Sequence, residues 1–140
     1  MALDSTATAH WEGDLMSGCG TATLTSGAGG PFPVDWKARS ETHAGKTSPE
    51  ELIAAAHATC FSMALSNGLG KAGTPPDHLD VTATATFVPG EGITRMQLVL
   101  SGEVPGLSDE GFRLAAEEAK QNCPVSQALA GNVPISLEFS

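Results

Sequence analysis

Cys60 lies inside the apolar segment SPEELIAAAHATCFSMAL (48–65), and Cys123 stands directly before Pro124 in NCPVSQAL (122–129). Two thiols in such unlike settings read as a thiol enzyme. A free thiol with an ordinary pKa near 8.5 is only about 3% thiolate at pH 7, and burial lowers that fraction further. A reactive Cys60 therefore needs a cation nearby. Cys123 is predicted to sit at the start of a short helix over VSQAL, where the positive end of the helix dipole favours a thiolate. The plainer alternatives are that Cys60 is a small core residue and that Cys123 is simply a helix cap. Cys19, in the glycine-rich SGCGTATLTS (17–26), has neither setting and is expected to be structural.

The element that positions Cys60 is predicted to be a long helix. Ser48 can cap it, Pro49 suits its first position, and Glu51 completes an S-x-x-E capping box. Ile53, Ala54, Ala55, Ala56, Ala58, Phe61, Met63, Ala64 and Leu65 leave no wide polar face, so the helix should be buried in a core or a subunit interface. It is expected to end around Gly68 and Gly70. His57, three residues before Cys60, is a neighbour on the helix surface. It is either a base, a metal ligand or a hydrogen-bonded core histidine. His10, His43 and His78 are scattered and read as surface residues. No C-x-x-C pair and no H-E-x-x-H motif occurs, so neither a metal site nor a cofactor is expected.

Around this helix the pattern is mostly strand-like. Stretches near 6–12, 19–26 and 33–39 are separated by Ser/Gly-rich turns. VTATATF (81–87) puts Val81, Ala83, Ala85 and Phe87 on one face, ITRMQLVLSGEV (93–104) puts Met96, Leu98 and Leu100 together, and PGEG (89–92) joins them as a hairpin. Ser108 can cap a second helix carrying Phe112, Ala115, Ala116 and Ala119, and VPISLEF (133–139) closes the chain as a strand. The order β-β-β-α-β-β-α-α-β predicts an α+β domain with antiparallel β-sheets around the long buried central helix. Gly27, Gly29 and Gly30 lack the Lys and Ser/Thr of a phosphate loop and read as a turn.

Composition narrows the function classes. The chain has 140 residues, a net charge of −9 and no tyrosine, which argues against nucleic acid as a partner. One domain, residues 1–140, is expected. MALDSTATAH shows no signal-peptide pattern, and no segment reads as a membrane span, so a cytoplasmic location away from membranes is expected. In that reducing setting a cysteine pair points to catalysis or metal rather than to a structural disulfide.

The AAHATCFSMAL helix, the later CPVSQAL segment and the N-terminal AHWEGDLMSGCG stretch together resemble the osmotically inducible protein C (OsmC) family, over most of the chain. The resemblance implies the OsmC-like fold, an intertwined homodimer, and a cysteine-dependent peroxidase acting on organic hydroperoxides in oxidative or osmotic stress defence. It implies Cys60 as the peroxidatic cysteine, Cys123 as the resolving one, Glu50 as the active-site glutamate and Arg39, in PVDWKARSE (33–41), as its arginine partner. A dihydrolipoyl-type dithiol is the implied reductant. Thr47 and Ser48 stand where many relatives carry a Thr-Asn pair, a cap-for-cap exchange.

These roles make chemical sense. A fixed guanidinium stabilises both the thiolate and the alkoxide-like leaving group without losing a proton. A glutamate holding its planar fork by two parallel hydrogen bonds would fix its direction. Glu50 and Cys60 are ten residues apart, about 15 Å of helical rise, so one chain's Glu50 does not easily serve its own Cys60. Either the helix breaks between them, or two helices pack antiparallel and Glu50 and Arg39 of one subunit complete the pocket around Cys60 of the other, the arrangement favoured here. Two alternatives from other classes remain: a non-catalytic domain holding an apolar ligand, and a metal-binding protein using His57, Cys60 and Cys123.

Overall fold

The computed structural model describes all 140 residues, which fall into two compact units, Met1–Leu52 and Ile53–Ser140. In the first unit, β1 (Ala7–Glu12), β2 (Cys19–Leu24) and β3 (Phe32–Val34) form an antiparallel sheet in that order. Its first hairpin pairs Ala7 with Leu24 through to Glu12 with Cys19. The connecting loop is tied by Asp14, whose carboxylate accepts from the backbone N–H and the hydroxyl of Ser17, both at 2.7 Å. All of β1 is exposed.

The strand expected near 33–39 is replaced by a shorter strand and a helix. The chain leaves β3 at Val34, and α1 (Trp36–Ser40) follows. Asp35 caps it, its Oδ1 accepting from Ala38 N–H at 2.7 Å while Oδ2 pairs with Lys46 Nζ at 2.8 Å. An Asp N-cap outweighs the apparent alternation of PVDWKA because it satisfies an otherwise unpaired helix amide. Arg39 thus lies in a helical turn rather than a strand.

The long helix α2 (Pro49–Lys71) begins in the first unit and runs on through the second. Ser48 caps it as expected, accepting from Glu51 N–H at 3.1 Å. The Glu51 carboxylate instead accepts from Thr47 Oγ1 at 2.6 Å. The helix ends later than expected, passing through Gly68 and Gly70. Gly73, at φ +85°, terminates it: Thr74 N–H reaches back to Leu69 C=O at 2.9 Å and Gly73 N–H to Gly70 C=O at 3.1 Å, a Schellman closure. The helix is also less enclosed than expected. His57, Phe61, Leu65 and Leu69 make one buried stripe at four-residue spacing, whereas Ala55, Ala56 and Thr59 are exposed and Met63 is 68% exposed. With a mean hydropathy of 1.3, α2 is long and apolar enough by length and composition to cross a membrane, contrary to the expectation that no segment was. The same test is passed by core helices that carry no polar face.

In the second unit β4 (His78–Val88), β5 (Gly92–Glu103) and β6 (Ile135–Phe139) form a sheet in that order, followed in sequence after β5 by α3 (Asp109–Asn122) and α4 (Pro124–Leu129). The β4–β5 hairpin closes at Pro89–Glu91, as the PGEG turn predicts, and Met96, Leu98 and Leu100 point fully inward. The pairing of β6 with β5 is parallel, so this sheet is mixed rather than antiparallel throughout. The long connection through α3 and α4 allows the chain to re-enter the sheet in that direction. Phe61, Leu65 and Leu69 pack with Leu98, Leu100, Ala116, Ala119 and Cys123 as the core. Ser108 caps α3, accepting from Gly111 N–H at 3.1 Å.

Candidate active site

The structure assembles the four expected site residues as two pairs. Cys60, half-buried on α2, meets Cys123, which is fully buried where α3 ends and α4 begins. Both are free thiols, and Cys60 packs against the core cluster that contains Cys123 although 63 residues separate them. Pro124 opens α4 and carries no amide hydrogen, so Val125 supplies the first free N–H of that helix. That N–H donates to Cys60 rather than to Cys123.

The surroundings of Cys60 disfavour its thiolate. Burial pushes the Cys60 thiol above its ordinary value, the hydrogen bond with Cys123 pushes it further, and the Val125 amide pulls it back. The groups acting on Cys60 are thus a thiol and an amide, and the need for a cation inferred from the sequence stands.

The second pair is Arg39 with Glu50. Arg39 donates from Nε and Nη2 at 2.9 Å each, and both bonds converge on Glu50 Oε1. The expected pattern of one bond to each carboxylate oxygen is not formed, and Oε2 is buried without a partner. The Glu50 side chain is 6% exposed and that of Arg39 35%. The turn carrying Arg39 and the start of α2 are held by the 41–48 segment, where Thr47 bridges to Val34 and His43 Nε2 lies 3.3 Å from Ser48 Oγ.

Sequence reasoning missed Ser126. His57, fully buried one turn before Cys60, places Nε2 at 2.7 Å from Ser126 Oγ on α4. The available signal was a symmetric spacing, since His57 precedes Cys60 by three residues and Ser126 follows Cys123 by three. Burial holds the imidazole below its ordinary pKa, so His57 is a neutral, hydrogen-bonded core residue. No group of three or more His, Cys, Asp or Glu side chains is placed to hold a metal ion. Cys19 is exposed at the start of β2, opposite Glu12.

Beside Cys60 a groove of about 870 Å³ opens between α2 and α3, lined by Met63, Ala64, Leu69, Leu114 and Ala115 among others. It is a mainly apolar cleft with a sulfur at its wall.

A sequence profile described as OsmC-like protein matches residues 42–138. The chain is 40% identical over 142 aligned residues to peroxiredoxin OsmC of Escherichia coli strain K12, covering 99% of each. The chain belongs to the OsmC family. Organic hydroperoxide resistance protein OhrA of Bacillus subtilis strain 168 is a more distant relative, 31% identical over 67% of each chain. Among solved structures, an organic hydroperoxide resistance protein from Elizabethkingia anophelis superposes with a TM-score of 0.73 at 26% identity, covering 100% of this chain and 99% of that one. The OsmC-like fold, with its central helix and two sheets, is therefore the architecture in which both residue pairs sit.

Proposed function

We propose that this OsmC-family chain is a thiol peroxidase that reduces organic hydroperoxides to alcohols. The observation that carries the reading is that Cys60 packs beside the buried Cys123 at the wall of an apolar groove. The Cys60 thiolate attacks the terminal peroxide oxygen, the O–O bond breaks, and the alkoxide leaves with a proton as alcohol. Cys60 is left as a sulfenic acid. The Cys123 sulfur then attacks the Cys60 sulfur, water departs, and the disulfide protects against further oxidation. An external dithiol reduces that disulfide by two exchange steps, and a dihydrolipoyl-type donor fits the role.

Arg39 supplies the cation that Cys60 lacks, and Glu50 directs it. α2 is unbroken between Glu50 and Cys60, which supports the second of the two arrangements considered above. Two chains pair through their α2 helices, so that Arg39 and Glu50 of one complete the pocket of the other. The exposed Ala55, Ala56, Thr59 and Met63 face and the fully exposed β1 support such an intertwined homodimer. In it the 140 residues act as one OsmC-like domain, in the cytoplasm, where thiol donors are abundant. Mixing Arg39→Ala chains with Cys60→Ser chains is expected to restore part of the activity; no recovery in the heterodimer would refute the trans arrangement.

The apolar groove rewards an alkyl substituent by roughly 0.8 kcal/mol per buried methylene. Cumene and tert-butyl hydroperoxide should therefore be turned over faster than hydrogen peroxide. The direct test of the reading adds one equivalent of organic hydroperoxide to reduced protein and maps thiols by mass spectrometry. A rapid Cys60–Cys123 disulfide that spares Cys19 is expected. Slow oxidation scattered over the three cysteines would overturn the reading.

A further inference from the structure

We propose that His57 and Ser126 form a bolt between α2 and α4 that holds Cys123 and the Val125 amide against Cys60, making both positioning residues of the redox pair. The inference deepens the peroxidase reading and rests on it for its purpose, though not for its geometry. His57 is fully buried, Ser126 is 3% exposed, and their side chains meet at 2.7 Å across 69 residues of sequence. α4 has only six residues and carries two groups that act on Cys60, the Val125 N–H and, at its cap, the Cys123 thiol. Cys123 makes no side-chain cap bond to its own helix. A helix so short has little stability of its own, so its placement depends on tertiary contacts. The bolt anchors it at Ser126, one residue beyond Val125 and three beyond Cys123.

The chemistry of the pair argues for placement over packing. Burying an imidazole and a hydroxyl costs more than burying an apolar pair of the same shape, and one hydrogen bond returns only part of that cost. His57 Nδ1 is moreover buried without any partner. The arrangement with fewer buried N–H groups unpaired has Nε2–H donating to Ser126 Oγ, which leaves an unprotonated Nδ1. What the pair offers in return is direction: a 2.7 Å bond fixes the azimuth of α4 on α2 more tightly than dispersion contacts do.

The test uses the full-length protein equilibrated with glutathione buffers, where one oxidised glutathione and the two thiols give the Cys60–Cys123 disulfide and two reduced glutathiones. No peroxide is involved, so the readout is independent of catalysis. His57→Leu and Ser126→Ala are each expected to lower the equilibrium constant for closure about tenfold, making the potential roughly 30 mV less negative. The double variant should be no worse than either single one, because both remove the same bond. His57→Gln, which keeps a donor at the Nε2 position, and Ser126→Thr, which keeps the hydroxyl, should restore most of the loss. Should His57→Leu fail to fold, the comparison of Ser126→Ala with Ser126→Thr decides alone. Closure constants within twofold of the parent, additive losses in the double variant, or a parent that forms no Cys60–Cys123 disulfide would each overturn the proposal. Hydroperoxide consumption by the same parent preparation reports separately on the peroxidase reading: a protein with the expected potentials and no peroxidase activity keeps the bolt and loses the function.

Discussion

In the proposed peroxidase reaction Cys60, Cys123, Arg39 and Glu50 divide the work, and each should fail in its own way. Cys60→Ser should abolish turnover, whereas Cys123→Ser should allow a first attack and then accumulate sulfenic and sulfinic acid, seen as added oxygen mass on the Cys60 peptide. Arg39→Ala should lower the hydroperoxide rate by about 10²–10³-fold, the usual cost of losing a fixed donor to developing charge. It should also move the pH profile of Cys60 alkylation upward, since burial and Cys123 raise that thiol and a cation would add to the lowering by the Val125 amide. An alkylation profile unchanged by Arg39→Ala would show that the cation lies elsewhere. His57 carries a different pH signature. Its imidazole is held below the ordinary value, so at mildly acidic pH the unfolded chain binds a proton that the folded chain does not. Stability should be constant above about pH 7 and fall as pH drops below about 6.5 toward the folded value. Asp14 and Asp35, both held low by hydrogen bonds, contribute only in more acidic solution. Urea midpoints between pH 7.5 and 5 should therefore slope in the parent and flatten in His57→Gln. The pairing of Cys60 with Cys123 came only from the family resemblance, whereas the closeness of His57 to Cys60 was legible in the sequence because spacing along a helix fixes who is near whom. That Val125 serves Cys60, and that Ser126 answers His57, were not, because both depend on how α4 docks.

The secondary elements show where local signals suffice. Ser48, Ser108 and the Pro89–Glu91 turn act as their residue types dictate, since a cap or a tight turn is settled within four residues. The segment after Val34 reads as strand-like, yet Asp35 caps a helical turn there by accepting from Ala38 N–H, a contact that outweighs strand propensity. The end of α2 was placed at Gly68 and Gly70 because glycine is a weak helix former, but only Gly73 adopts a positive φ. Gly73→Ala should therefore destabilise by about 1 kcal/mol, while Gly68→Ala and Gly70→Ala, inside the helix with open space around each, should stabilise by roughly 0.4–1 kcal/mol. Thermal or urea unfolding of the three variants checks the order. The direction of β6 could not be read at all, since alternation looks the same in a parallel and an antiparallel partner.

At the scale of the whole chain, an acidic composition goes with an exposed apolar helix face, and the two have different consequences. The charge of −9 keeps it soluble and repels anionic partners. In the proposed homodimer the exposed α2 face of Ala55, Ala56, Thr59 and Met63 is the one covered, and Ala56→Glu should disperse that dimer into monomers on size-exclusion chromatography and lose activity with it. An Ala56→Glu protein that remains dimeric would place the interface elsewhere. The placement of Cys60 and Cys123 has a further consequence for durability. Joining residues 63 apart closes a long loop in the unfolded chain and removes much of its freedom, a gain of about 4 kcal/mol in the chain-entropy description. Each encounter with its oxidant would thus leave the enzyme tougher than before, with a higher melting temperature and slower proteolysis, until the reductant returns it to its softer working form.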